Sequence, residues 1–329
     1  MNKFRKSIML FSALLSASCV YSIDPQTWAK YDGESFSVDV SMPREGRIET
    51  VRLQPLLLKP KSAPPWSSIV LRSNSSGLED RMWKAWVPAF LDANIAVILV
   101  DSFNPRGFTS TAVNQFMIGY YAKMLDAHTV LDHLLSDDRF IKNRIALGGH
   151  SNGAETAFHS SYKESLSSIN RTSLSFNAFI AAASPCIFVY KKTELNGPLL
   201  GIIGSMDDAA RPHLCKAEFA RLKNVGQPAE LVIIEGANHE YSTKNSVYVP
   251  QLMNLPIDVP TTYIKYLGFE RGTTQFEYPN GEVIKINDFV SKYSGFMGYK
   301  MYGYHVGGDY DKVPEMVDLS VKFLKKNGW

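Results

Sequence analysis

A serine becomes a useful nucleophile only when a base accepts its proton and the backbone presents its hydroxyl rigidly. The stretch Arg144-Ile-Ala-Leu-Gly-Gly-His-Ser151-Asn-Gly153-Ala-Glu-Thr-Ala meets the second condition. Gly149-x-Ser151-x-Gly153 follows a short apolar run and precedes a segment with helical spacing. A serine at such a strand-to-helix turn projects its Oγ above the sheet, and the glycines on either side let strand and helix approach closely. The N–H of Asn152 then faces the same point and can donate to an oxyanion.

The base must be a histidine at the end of another strand. Of the seven histidines, His128 and His133 read as residues on a helix surface. His150 lies inside the turn, where its direction suits packing. His159 and His213 fall in or near helices, and His305 in a Gly/Tyr-rich region. His239 differs: it follows the apolar run Ala229–Glu235 in the loop Gly236-Ala-Asn-His239. An acid should orient its ring. The strand Leu199–Ile203 runs into Gly204-Ser-Met-Asp207-Asp208. Asp207 is the preferred acid and Asp208 the alternative, whichever is unused capping the next helix or facing solvent. The second oxyanion donor should come from the loop after an earlier strand, here Arg72-Ser-Asn-Ser-Ser-Gly77, with Ser73 or Asn74 as candidates.

Elements that could position these groups alternate along the chain. Early strands are expected at Phe36–Val40 and Thr50–Leu58. Further strands are expected at Ser68–Leu71, Ile95–Val100, Arg144–Leu147, Ala178–Ala183, Leu199–Ile203 and Leu231–Ile234. Helical spacing marks Arg81–Asp92, Gln115–Ser136, Ala154–Ser165, Lys216–Asn224 and Val317–Lys326. Such alternation predicts an α/β fold: a mostly parallel central sheet with helices on both faces and its ligand site outside the carboxyl ends of the strands. Residues 242–300 interrupt the pattern, with no clear parallel-strand unit. They read as an insertion before the last helix, either lid-like or a packing elaboration. Within them Asn280-Gly281 suggests a hairpin on a type I′ turn.

With these pieces in place, the chain resembles the dienelactone-hydrolase-like branch of the α/β hydrolases. The matching segments are Val100-Asp-Ser-Phe-Asn-Pro-Arg-Gly107, the helix Asp126–Leu135, the Ser151 turn, Gly204…Asp207 and Ala237-Asn-His239. The order Ser151, Asp207, His239 is that of α/β hydrolases. The chain departs from the branch in two respects. Enzymes that open dienelactones carry cysteine where this chain has Ser151, and segment 242–300 exceeds their usual connection before the last helix. The resemblance implies an α/β-hydrolase fold and a serine hydrolase acting on a carboxylic ester through an acyl-enzyme. A peptidase, amidase or acyltransferase using the same triad is the alternative, and a binding protein on the same scaffold the third reading. Arg106 reads as a tether for its loop rather than a substrate contact.

A formal net charge of +3 over 329 residues, with no Lys/Arg block beyond the first few, argues against a nucleic-acid partner. No metal-ligand spacing occurs, so no metal or cofactor is called for. The expected partner is a small-molecule ester, with oligomeric state left open. Residues 1–22 read as a signal peptide: Lys3, Arg5 and Lys6 precede the apolar Ile8–Leu15, with cuts available after Ser18 or Ser22. Residues 23–329 then form one domain without a transmembrane segment, periplasmic or secreted. A lipoprotein anchored at Cys19 is disfavoured because Ser16 stands where such sites carry Leu. In an oxidising compartment Cys186 and Cys215 can pair, or remain two buried thiols.

Overall fold

The computed structural model describes residues 28–329 except 45–46, 78–80, 113–114, 116–117, 170–173, 240–244, 255–260, 267–272, 288–301 and 309. The expected signal peptide with Cys19, and much of segment 242–300, lie outside the described residues.

The first strands are β1 (Gly33–Ser35), β2 (Val38–Arg44), β3 (Arg47–Leu53), β4 (Leu56–Leu58) and β5 (Trp66–Arg72). Then come α1 (Arg81–Asp92), β6 (Ile95–Val100), α2 (Tyr120–Ser136), β7 (Phe140–His150), α3 (Asn152–Ser161) and α4 (Lys163–Ser168). They are followed by β8 (Ala178–Ala182), β9 (Phe188–Val189), β10 (Leu199–Gly204), α5 (Pro212–Asn224) and β11 (Ala229–Ile234). Strands β12 (Val247–Asn254), β13 (Thr262–Tyr266), β14 (Thr273–Glu277), β15 (Val283–Asn287) and β16 (Tyr302–Val306) precede the closing helix α6 (Val313–Lys326).

Eight strands form the central sheet in the order β1-β4-β6-β5-β7-β8-β10-β11. From β6 to β11 every pairing is parallel, while β1 and β4 add an antiparallel edge. The inner strands are largely apolar where both faces are covered, as in Ile69–Leu71, Ile95–Val100 and Ile145–Leu147, and alternate residues enter different cores. Val70, Ile98, Leu147 and Phe179 pack with α2, α3 and α5. Ile69, Val97, Ala146 and Ile180 pack with α1 and α6 on the other face. No helix among the described residues is long and apolar enough to cross a membrane.

Four local expectations need correction. Thr50–Leu58 is two strands, interrupted at Gln54-Pro55, because proline has no N–H to donate to a ladder. Ala154–Ser165 is two helices separated by Tyr162 in an extended conformation (φ −84°, ψ 134°). That break carries the Tyr162 ring into the core, where its hydroxyl donates to Glu218 Oε1 at 2.5 Å. The hairpin of β14 and β15 turns over Tyr278–Gly281, with Gly281 N–H donating to the Tyr278 carbonyl. Pro279 at the second turn position suits a type I turn, and Gly281 rather than the Asn-Gly pair supplies the positive φ of 87°. Finally, segment 242–300 does contain sheet: β13 runs parallel to β9, in a four-stranded sheet β15-β14-β13-β9.

His128 is also corrected. It is fully buried, edge-on to Phe176 at 5.1 Å, and not on the helix surface. His133 is half-buried and stacks on Phe36 at 4.3 Å. Arg106 forms a two-pronged ion pair with Asp126 of α2, at 2.8 and 2.7 Å, and also donates to the Ser102 carbonyl. It ties the loop after β6 to α2.

His159 lies in an aromatic cluster with Tyr120, Phe158 and Tyr190, and burial lowers its pKa to about 3. As pH falls below the unfolded value near 6.5, the unfolded chain takes up a proton that the folded chain refuses, so stability is lost progressively down to about pH 3. At pH 5 the loss from His159 alone amounts to about 2 kcal/mol. His159→Phe should therefore shrink the drop in urea-unfolding free energy between pH 7 and pH 5. An equal drop in both proteins would refute this account.

Candidate active site

Ser151 occupies a backbone conformation with φ 52° and ψ −114°, which side chains other than glycine rarely adopt and which costs on the order of 1–3 kcal/mol. It is fixed from both sides: its N–H donates to the Ala182 carbonyl and its carbonyl accepts from Glu155 N–H. The flanking glycines are sterically required. A Cβ on Gly153 would lie 2.1 Å from the Arg72 carbonyl oxygen, and one on Gly149 would lie 2.5 Å from the Gly153 carbonyl carbon. The turn thus holds the Ser151 hydroxyl at the carboxyl end of β7. Immediately after it, α3 begins at Asn152, where the first N–H groups of a helix have no intrahelical partner.

Ser151 Oγ lies 2.8 Å from His239 Nε2. On the other side of the ring, His239 Nδ1 is 2.9 and 3.0 Å from the two carboxylate oxygens of Asp207. Asp207 is buried and accepts from the N–H groups of Ala209 and Ala210 as well. The two loops that carry these residues touch directly: a Cβ on Gly204 would be 2.1 Å from the Ala237 carbonyl oxygen, and Met206 N–H donates to that oxygen. His150 is buried, with its pKa lowered to about 3 by burial. Its Nε2 donates to the carbonyl of His239 at 3.0 Å, fixing the loop of the base.

Asp208 does not reach His239. Its carboxylate accepts from the backbone N–H of His305 at 3.0 Å and pairs with His305 Nδ1 at 2.7 Å. His213 is exposed on α5.

A cleft with ≈ 310 Å³ of unfilled space, partly open to solvent, lies above Ser151 and His239. Among the described residues, Asn74, Ser75, Ser76, Ala112, His150, Tyr304 and Val306 also line it. Of the two loop candidates for an oxyanion donor, Asn74 is on the cleft wall, while the Ser73 carbonyl sits behind it against Gly153. The loop is held by Ser76 N–H donating to Asn74 Oδ1 and by Thr111 N–H donating to the Ser75 carbonyl.

Sequence reasoning missed a buried polar cluster behind the turn. Lys123 Nζ donates to Asn152 Oδ1 at 3.1 Å, lies 3.5 Å from Glu155 Oε2 and covers the Tyr120 ring. Gln115 Oε1 accepts from both Asn152 Nδ2 and Ser75 Oγ, joining the helix start to the loop after β5. Burial raises the pKa of Glu155, against the opposing charge of Lys123. One sequence signal existed, a lysine inside the otherwise apolar run Tyr120–Leu125; Gln115 offered none. Cys186 and Cys215 are joined by a disulfide.

Two outcomes follow from this geometry. Asp207→Asn should lower kcat by about 10⁴-fold, since the amide cannot hold the imidazole in the required tautomer, while Asp208→Asn should retain most activity. Comparable losses in steady-state assays of the two variants would contradict the assignment. Gly153→Ala should cost about 1–3 kcal/mol of unfolding free energy by overpacking; an unchanged denaturation midpoint would show that the crossing is looser than described.

No family model matches the chain. Acyl-protein thioesterase 1 homolog 1 of Dictyostelium discoideum is 25% identical over 114 residues, covering 35% of this chain and 49% of that protein. The chain thus matches about half the length of that curated relative. Among solved structures, esterase 2 of Thermogutta terrifontis, phosphoramylated by tabun, superposes with a TM-score of 0.53 at 13% identity. It covers 89% of this chain and 95% of that one. A protein of Klebsiella pneumoniae described as a putative dienelactone hydrolase gives a TM-score of 0.46 at 13% identity over 63% of this chain and 88% of that one. The strand order and the superposition on the Thermogutta esterase agree: this chain has the α/β-hydrolase fold.

Proposed function

We propose that this chain is an exported serine hydrolase that cleaves a carboxylic ester of a small molecule through an acyl-enzyme on Ser151. The observation that carries the reading is the unbroken line from Ser151 Oγ through His239 to Asp207 at the floor of an accessible cleft. In this reading His239 Nε2 takes the Ser151 proton as Oγ attacks the carbonyl carbon, and Asp207 stabilises the imidazolium through Nδ1–H. The developing oxyanion is met by the N–H of Asn152 and by one from the loop carrying Asn74. His239 then protonates the leaving alcohol, and a water activated by the same ring releases the acid and regenerates Ser151. The strained turn supports this assignment, because backbone strain of this kind persists where the surrounding structure enforces it for function.

Two further observations bear on the reading. The esterase and thioesterase names among the similar proteins are compatible with acyl transfer to water. The Cys186–Cys215 disulfide fits an oxidising compartment, and with the basic and apolar N-terminal residues it supports a periplasmic or secreted location.

The test uses the chain without residues 1–22, beside Ser151→Ala, on p-nitrophenyl esters from acetate to decanoate. Hydrolysis that falls by roughly 10⁴-fold or more in Ser151→Ala, together with fluorophosphonate labelling of the wild type alone, is the expected result. Turnover that survives in Ser151→Ala, or a wild type that neither labels nor hydrolyses any ester, would overturn the proposal.

A further inference from the structure

Strand β16 comes from a part of the chain in which the sequence showed no chemistry, yet it forms one wall of the cleft. Side chains alternate along a strand, so Tyr304 and Val306 share one face and His305 points the other way. Tyr304 and Val306 line the cleft, and the Tyr304 ring stands edge-on to the His239 imidazole at 5.1 Å. Tyr304 is only 6% exposed. On the opposite face His305 packs on Tyr248 of β12 and is bound to Asp208 through both its N–H and its Nδ1. Gly303 lets the strand press onto its neighbour, since a Cβ there would be 2.1 Å from the Val249 carbonyl oxygen. The wall is therefore braced by β12 on one side and by the acid-bearing turn on the other.

From this placement we infer that Tyr304 is a specificity-determining residue for the leaving alcohol, with Asp208 as the positioning residue that holds its strand. The inference rests on the ester-hydrolase reading above. A leaving oxygen must come within hydrogen-bond reach of His239 Nε2 to be protonated, and the group attached to it then lies against whatever packs on that imidazole. Tyr304 packs there, whereas Asn74, Ser75 and Ser76 belong to the loop on the oxyanion side. The substrate class that fits is an ester of a compact alcohol: a bulky alkoxy group must displace a buried aromatic ring braced from behind.

The experiment compares two ester series in wild type, Tyr304→Ala, Tyr304→Phe and Asp208→Ala, with active sites counted by fluorophosphonate labelling. One series varies the alcohol from methyl to hexyl at constant acetyl; the other varies the acyl group at constant p-nitrophenol. Tyr304→Ala should raise the hexyl-to-methyl ratio of kcat/KM by about tenfold or more and leave the acyl-series ratios unchanged. Tyr304→Phe, which keeps the ring, should match wild type. Asp208→Ala should shift the alcohol ratio in the same direction by a smaller factor. A merely structural defect would depress every ester alike and move no ratio. An unshifted alcohol ratio in Tyr304→Ala, or a shift confined to the acyl series, overturns the inference while Ser151-dependent hydrolysis leaves the underlying reading standing. An unshifted ratio in Asp208→Ala overturns its positioning role. Absence of Ser151-dependent hydrolysis on every ester overturns both readings together.

Discussion

At Gly153 there is no room for one more carbon atom: the start of α3 lies directly against the backbone of Arg72 and Ser73 at the end of β5. This crossing drives Ser151 into its unusual conformation and brings two loops, those after β5 and β7, to one cleft. It works only because β5 and β7 are hydrogen-bonded neighbours in the sheet, which is a property of the strand order and not of the local sequence. The strain at Ser151 is offset by two full apolar cores, one on each face, whose burial far exceeds a few kcal/mol.

The histidine loop faces a harder geometric problem. It leaves β11, three strands from β7, and neighbouring strands are about 4.8 Å apart, so the ring must be brought back over roughly 14 Å. Three contacts manage that return. The Gly204 turn abuts Ala237, Met206 N–H holds the Ala237 carbonyl, and His150 from the serine's own strand donates to the His239 carbonyl. Asp207, after β10, then closes the remaining gap. A histidine that looked like filler in the sequence thus sets the position of the proposed base.

What could be read in the sequence was whatever depended on local spacing. The α/β alternation, the turn around Ser151 and the strand-end positions of Asp207 and His239 all follow from runs of a few residues. Choosing between Asp207 and Asp208 required knowing which way each carboxylate points, and adjacent residues in a tight turn point differently for reasons set by tertiary contacts. His128 was misjudged because a titratable side chain on a helix is usually exposed, whereas here the helix is covered by Phe176. The roles of Lys123, Gln115 and Tyr304 were hidden for a related reason, although Lys123 stands out in its apolar run: each acts across 29 or more residues of sequence, Lys123 on Asn152, Gln115 on Ser75 and Asn152, Tyr304 on His239.

The short stretch from Ser205 to Cys215 connects the parts the sequence left separate. Asp207 faces the imidazole, Asp208 holds β16, and Cys215 is bonded to Cys186 in the loop between β8 and β9. Strand β9 is in turn the edge on which β13 and the inserted sheet assemble. Strand β16 and the inserted sheet are therefore each tied to the stretch Ser205–Cys215, the first through Asp208 and the second through β9 and the disulfide. A disulfide stabilises chiefly by restricting the unfolded chain, by about 2–4 kcal/mol. At this position it also fixes the distance between that stretch and the base of the inserted sheet. The residues beside Asp207 therefore share one short stretch with the contacts that hold the cleft wall and the base of the inserted sheet.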